Sequence, residues 1–180
     1  GYTTRPIYTN GLIIVPLDGG AVQALTADSL TTVWVTDPVS KSAQSNSQLT
    51  VDGNYLYVGT VDVDFGSGIY NNGHLTRINI LTGAVSWQHV NADEGYYWTG
   101  ATVGSDFILV PTSAGTVEML SMSSGSLIGS VSVGAIVNSS CVLSTDGRHA
   151  YLISRDGKLH VLAISDGSSR DADAASRITE

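Results

Sequence analysis

Residues 73–87 read GHLTRINILTGAVSW. Gly73 opens a run that reads as a strand, Thr82-Gly83 interrupts it, and Trp87 closes the next run. Alternation with period two lines every other side chain along one face of a strand. A glycine-containing break between two such runs joins antiparallel neighbours. The stretch therefore predicts a β-hairpin, and the same pattern recurs along the chain.

Aligned on that glycine, four copies appear: GAVQAL from Gly20, GHLTRI from Gly73, GTVEML from Gly115 and GKLHVL from Gly157. The glycines are spaced by 53, 42 and 42 residues. Two residues on, every copy is apolar (Val22, Leu75, Val117, Leu159), and so is every copy five residues on (Leu25, Ile78, Leu120, Leu162). The position between them, three residues on, is polar: Gln23, Thr76, Glu118 and His160. Ten residues on comes a turn position, held by Gly83, Gly125 and Gly167 and, in the first copy, by Leu30. Fourteen residues on stand Trp34 and Trp87, but Gly129 and Asp171 in the last two copies. Two further runs precede each glycine. They are split by Asn10-Gly11, Asp52-Gly53, Gly104-Ser105 and Asp146-Gly147, all turn formers.

Each unit is thus four short strands, and no stretch shows the 3.6-residue apolar period of an amphipathic helix. Four-stranded units at this period mark an all-β fold, a β-propeller of four-stranded antiparallel blades. The expected blades are 4–36, 47–90, 99–133 and 138–174. One blade cannot bury both faces, so neighbouring blades must stack.

Composition narrows the function classes. The 180 residues are 42% hydrophobic and 13% charged, with net charge −8 and only two lysines, Lys41 and Lys158. No basic face for nucleic acid is visible, and no apolar run reaches the roughly 20 residues that would insert in a membrane. A single cysteine, Cys141, allows no internal disulfide. It lies in the alternating run SSCVLS, which reads as a buried structural thiol. The chain begins at Gly1 inside what reads as a repeat, so it is expected to be a piece of a longer protein. Abundant Ser, Thr, Gly and Asn with little Lys suggests a secreted or surface-exposed protein.

Gly-x-apolar-x-x-apolar, then Thr-Gly, then apolar-x-Trp resembles the repeat of the quinoprotein dehydrogenase-like (PQQ-like) propellers. GHLTRINILTGAVSW carries the whole pattern, and GAVQALTADSLTTVW keeps its ends without the turn glycine. No strand ends in the Trp-Asp of WD40 repeats. The resemblance implies a ring of about seven or eight blades. Four blades would then be half of an eight-bladed ring or a fragment of a larger propeller, and a homodimer could complete the eight-bladed ring.

The resemblance also raises a cofactor. Catalytic members hold PQQ, a quinone, over a calcium or similar ion. They use a carboxylate base, and many stack a vicinal disulfide on the quinone. Cys141 alone cannot form that disulfide, and no calcium set or catalytic aspartate can be matched residue by residue. The superfamily also holds non-catalytic members in outer-membrane assembly and on bacterial cell surfaces. The expectation is a non-catalytic binding or scaffold propeller with no catalytic residues and no cofactor. Two alternatives stay open: part of a PQQ-dependent alcohol or sugar dehydrogenase, and a carbohydrate-binding module.

A binding site is expected on the second blade. Its VDVDFGSGIYNN connection, roughly 61–72, supplies the 11 extra residues of its spacing, and NADEGYYW follows its last strand. With the four strands of each blade lettered A to D from the central channel outward, both fall on the blade face that carries the B–C and D–A loops. Together they collect Asp62, Asp64, Asp93 and Glu94 with Tyr70, Tyr96, Tyr97 and Trp98. Aromatic platforms beside acidic groups suit a glycan, a cationic group or a protein partner. The competing reading is a lengthened hairpin whose aromatics pack on a neighbouring blade. Asp62, Asp64 and Asn72 could offer oxygen to calcium, although their spacing is not that of an EF-hand. The histidines His74, His89, His149 and His160 lie in separate strands and read as polar groups at blade interfaces or edges.

Overall fold

Asn10 and Gly11 both take positive φ, 50° and 73°, as a two-residue type I′ hairpin requires. They turn β1 (Ile7–Thr9) into β2 (Leu12–Pro16) in the computed structural model, which describes residues 4–165 and 177–180. β3 (Val22–Thr26) and β4 (Thr32–Val35) complete a first antiparallel sheet in the order β1-β2-β3-β4. The second sheet holds β5 (Ala43–Gln44), β6 (Thr50–Asp52), β7 (Tyr55–Asp64), β8 (Ile69–Asn79) and β9 (Val85–Asn91). β5 and β6 share the same edge of β7, one after the other.

The third sheet runs β10 (Thr102–Val103), β11 (Phe107–Pro111), β12 (Thr116–Ser121) and β13 (Leu127–Ser132). The fourth runs β14 (Val142–Leu143), β15 (His149–Ile153), β16 (Leu159–Ile164) and β17 (Ile178–Thr179). These are four propeller blades of antiparallel strands, as the repeat predicts, with β5 as an addition to the second. Three limits differ from the expected ones. β9 runs one residue past 90, to Asn91. β5 precedes residue 47, and the last strand of the fourth blade lies at 178–179, beyond 174. The expected turn at Gly167 and the position of Asp171 lie outside the described residues.

The repeat is reproduced in backbone detail. The amides of Leu30, Gly83 and Gly125 each donate to the carbonyl four residues back, on Thr26, Asn79 and Ser121. All three have positive φ: 55°, 75° and 74°. A β-bulge follows the fourth position after the repeat glycine in three sheets, at Ala24/Leu25, Arg77/Ile78 and Met119/Leu120. Leucine thus occupies the left-handed turn position that glycine holds in the second and third copies.

The chain divides into two compact units, Gly1–Tyr97 and Trp98–Glu180, each with two sheets. In the first, Ile14, Val22, Ala24 and Trp34 of one sheet pack with Leu56, Val58 and Ile78 of the next. In the second, Leu109, Val117 and Met119 pack with Ala150, Leu152 and Leu162. Both cores join one sheet's positions two and four after the repeat glycine to the next sheet's position five. Among the described residues no helix is long and apolar enough to cross a membrane.

Candidate functional site

Most of the expected 61–72 connection is strand rather than loop. The valines of Val-Asp-Val-Asp favour extended backbone, and β7 and β8 continue past the rest of their sheet as a two-stranded arm. Asp62 pairs with Asn71, Val63 with Tyr70 and Asp64 with Ile69, after a register shift between Thr60 and Asp62. β5 braces the arm through Ala43 opposite Asp62 and Gln44 opposite Val61.

Residues 65–68 make the tip. Asp64 fixes it: Oδ1 accepts from the Gly66 amide at 2.9 Å and Oδ2 from the Ser67 hydroxyl at 2.7 Å. The Gly68 amide closes the turn on the Asp64 carbonyl at 2.8 Å. The Ser67 hydroxyl and the Gly66 and Ser67 amides hold the Asp64 carboxyl below the usual carboxylate range. Phe65 is 72% exposed and Ile69 50%, so the tip presents two large apolar side chains to solvent. Both lie within the stretch VDVDFGSGIYNN of residues 61–72.

Asp62 has a structural task. Ser40 Oγ donates to its Oδ1 at 2.8 Å, and Ser42 Oγ and Asn72 Nδ2 donate to Oδ2 at 3.0 and 2.9 Å. Burial pushes its carboxyl up, but the bonds from Asn72, Ser40 and Ser42 outweigh that and hold it below the usual range. The two carboxylates therefore face different partners. Among the described residues no three His, Cys, Asp or Glu side chains come together. Asp62 is thus held by Ser40, Ser42 and Asn72, and Asp64 by Gly66 and Ser67.

The 92–97 loop folds back on the arm. Asn91 Oδ1 accepts from the amides of Asp93 and Glu94, at 3.2 and 3.1 Å. The Ala92 and Glu94 carbonyls accept from the Asn72 and Gly73 amides, and the Tyr96 amide donates to the Thr60 carbonyl. The approach is too close for side chains. A Cβ on Gly95 would lie 2.1 Å from Val61 Cγ2, and one on Gly73 would lie 2.7 Å from the Glu94 carbonyl oxygen.

This docking corrects the expected aromatic platform. Tyr96 is 0% exposed, because the loop backbone bonds to Thr60 and carries its ring inward. Tyr97 is half-buried and meets Tyr70 edge-on, with centroids 5.0 Å apart and planes at 69°. Trp98 belongs to the second unit, where the Arg155 guanidinium lies 4.7 Å over its ring. Asp93 is exposed and Glu94 half-buried. The structure brings Asp62, Asp64, Tyr70, Asp93, Glu94 and Tyr97 onto one arm and its supporting loop, with Tyr96 beneath them.

Two polar clusters lie elsewhere. Arg77 stacks 3.5 Å over the Tyr55 ring and donates from Nε to the Tyr57 hydroxyl at 3.1 Å. In the second unit His160 Nε2 is 2.8 Å from Ser154 Oγ, and Nδ1 bonds to Glu180 Oε1. That order resembles a hydrolytic triad. Ser154 and His160 are both buried, however, and the Ser154 hydroxyl engages Asp156 Oδ1. A substrate carbonyl has no approach, so the group ties β15, β16 and the residue after β17 together. Cys141 is buried as expected, and burial pushes its thiol up to about 12.

A family model described as "Outer membrane protein assembly factor BamB" matches residues 2–141. No curated protein matches the chain. Among solved structures, the computationally designed Ika4 protein is similar with a TM-score of 0.65 and 13% identity, covering 92% of this chain and 94% of that one. A quinohemoprotein alcohol dehydrogenase, ADHIIG, from Pseudomonas putida HK5 gives 0.65 at 12% identity over 90% of this chain and 34% of its own. A europium-containing methanol dehydrogenase gives 0.65 at 13% identity over 99% of this chain and 45% of its own. At these identities the likeness is one of fold. The chain spans between a third and half of the two dehydrogenases.

Proposed function

Because the chain belongs to the family described as outer membrane protein assembly factor BamB, we propose that it is a non-catalytic propeller platform that binds a protein partner in the bacterial cell envelope. The observation that carries this reading is the β7–β8 arm. Its tip offers Phe65 and Ile69, and Asp64 holds the turn in one shape before any partner arrives. A preorganised apolar anchor loses little conformational entropy on docking. Asp64 carries its charge at the same tip, so the partner would pair an apolar pocket with a basic rim.

The dehydrogenase alternative rests on fold likeness alone. The glycan alternative has lost Tyr96 as a platform, since that ring is buried. A photo-reactive phenylalanine analogue at position 65, in host cells, tests the preferred reading. Its control is the same analogue at position 81, where Leu81 is exposed on the C–D turn. One protein adduct specific to position 65, lost in Ile69→Asp, is expected. Equal adducts at both positions, or none, would overturn the arm as the binding element. Dye-linked oxidation of an alcohol or sugar after addition of the quinone with calcium would overturn the non-catalytic assignment.

A further inference from the structure

The chain holds two Asn-Gly sequences, Asn10-Gly11 and Asn72-Gly73. Both asparagines take positive φ, 50° and 48°. In this dipeptide the side-chain amide carbon and the next backbone nitrogen can close a five-membered ring, an intramolecular attack favoured by proximity. Glycine places no side chain over that nitrogen. Asparagine is for such reasons a thermolabile residue. By sequence the two sites are equivalent, and their surroundings separate them.

Asn72 is held at three points. Its Nδ2 donates to Asp62 Oδ2 at 2.9 Å, and its backbone amide donates to the Ala92 carbonyl at 3.1 Å. The Gly73 amide, which holds the attacking nitrogen, donates to the Glu94 carbonyl at 2.9 Å. Gly73 is also buried, with Gly95 Cα 2.8 Å from the position its Cβ would take. Ring closure at Asn72 therefore requires the 92–97 loop to leave the arm. Asn10 has none of these restraints. Asn10 and Gly11 are exposed. Among the described residues neither the Asn10 side chain nor the Gly11 amide has a hydrogen-bond partner. Nothing lies within 4 Å of the position a Gly11 Cβ would take. Only the turn itself must rotate, a local opening far smaller than unfolding.

We propose that Asn10 is a site of spontaneous covalent modification, converting to aspartate and isoaspartate in the folded protein while Asn72 persists. The Gly11 nitrogen gives its proton to hydroxide and attacks Asn10 Cγ. The Cγ–Nδ2 bond breaks, and that nitrogen takes a proton from water and leaves as ammonia. Water then opens the succinimide. Opening at Cγ restores the main chain and leaves aspartate. Opening at the Asn10 backbone carbonyl routes the main chain through Cβ and Cγ and leaves isoaspartate. The balance is one water in and one ammonia out, with no oxidant or reductant. Either product adds a negative charge at the first hairpin. Isoaspartate also lengthens the backbone of a two-residue turn that sets the pairing of Thr9 with Leu12. The Gly11 carbonyl accepts from the Ala27 amide at 2.9 Å, so the lengthened turn also disturbs the next turn of the same blade.

Peptide mapping by mass spectrometry, after the folded protein has stood in warm, mildly alkaline buffer, tests this. The peptide holding Asn10 should gain the mass difference between an amide and a carboxylic acid and resolve into aspartate and isoaspartate forms. The peptide holding Asn72 should stay unchanged. In concentrated urea both sites should convert at similar rates, because the bonds that hold Asn72 are gone. Asn10→Gln should lose the conversion, since glutamine must close a larger ring. The purified isoaspartate form should melt below the aspartate form. Equal fates of Asn10 and Asn72 in the folded protein, both converted or both intact, would overturn the proposal. So would a difference between the sites in urea as large as that in the folded protein. Equal melting of the two product forms would overturn the disturbance of the first blade.

Discussion

Trp34 Nε1 donates a 2.7 Å hydrogen bond to the carbonyl of Ile80, 46 residues along the chain. The donor is the outer strand of one blade and the acceptor lies just after β8 of the next. The ring also covers the C–D turn, where a Cβ on Gly83 would sit 2.7 Å from Trp34 Cγ. A single tryptophan therefore closes both a polar and an apolar contact between two sheets.

Trp34→Phe should cost about 1–3 kcal/mol, because the Ile80 carbonyl loses its donor in a buried setting. Trp34→Ala should cost about 3–5 kcal/mol, since a cavity is added. Gly83→Ala should also destabilise, through both its φ of 75° and contact with the ring. Urea unfolding with an unchanged slope would measure these losses. Equal stability of Trp34→Phe and wild type would show that the hydrogen bond is immaterial.

Leu30 invites the opposite change. It holds φ 55° at the turn position where the next two copies have glycine, and its side chain is 63% exposed. Left-handed backbone costs an L-residue roughly 1–2 kcal/mol. Greater freedom of glycine in the unfolded chain returns about 0.4–1 kcal/mol of that. Leu30→Gly should therefore stabilise the protein by roughly 0.5–1 kcal/mol, seen as a higher melting temperature. A lower melting temperature would mean that Leu30 makes a contact worth more than its strain.

These turns show what was legible in the sequence. A turn that needs φ > 0 selects glycine locally, so Gly83 and Gly125 mark the repeat without any knowledge of neighbours. The alternation of each strand is equally local. The length of 61–72 beyond the repeat points to a loop, whereas the strand preference of Val61 and Val63 prevails and extends β7 and β8. The fate of Tyr96 was less accessible: whether that ring faces solvent depends on the backbone of 92–97 lying against Val61 and Thr60. Likewise, the acidic residues of 61–72 read as candidate ligands until their partners were known. Ser40 and Ser42, which occupy Asp62, lie some twenty residues away and follow no pattern.

Cys141 offers a kinetic prediction. Its thiol is buried and pushed up to about 12, so the native protein holds almost no thiolate near neutrality. A disulfide reagent should label it only as fast as the protein opens. Addition of urea should accelerate labelling in parallel with unfolding. The raised value also sets an alkaline trend. Between the ordinary thiol range of about 8.5 and about 12, the unfolded chain loses this proton and the folded one keeps it. That contribution is intact below the ordinary value and declines as pH rises. Cys141→Ala should remove that share of the alkaline loss. Rapid labelling of the native protein at neutral pH would contradict the buried placement.

Asp62 sets an acid trend of the opposite sign. Its folded carboxyl lies below the ordinary value of 3.8, because the bonds from Asn72, Ser40 and Ser42 prevail over burial. A depressed carboxyl stabilises the fold fully above the ordinary value and loses that effect as pH falls through the folded value. Protonation should weaken the hold of Ser40 and Ser42 on the arm, and with it the pairing of Ala43 with Asp62. The carboxyl carbon of Asp62, followed by NMR, should titrate below the range of an unpaired aspartate. The amide shifts of Ala43 and Gln44 should move with the same midpoint. Asp62→Asn removes the titrating group and should flatten that movement while β7 and β8 stay paired. If the two amides titrate unchanged in Asp62→Asn, another carboxylate controls the arm, and Asp64 at its tip is the next to replace.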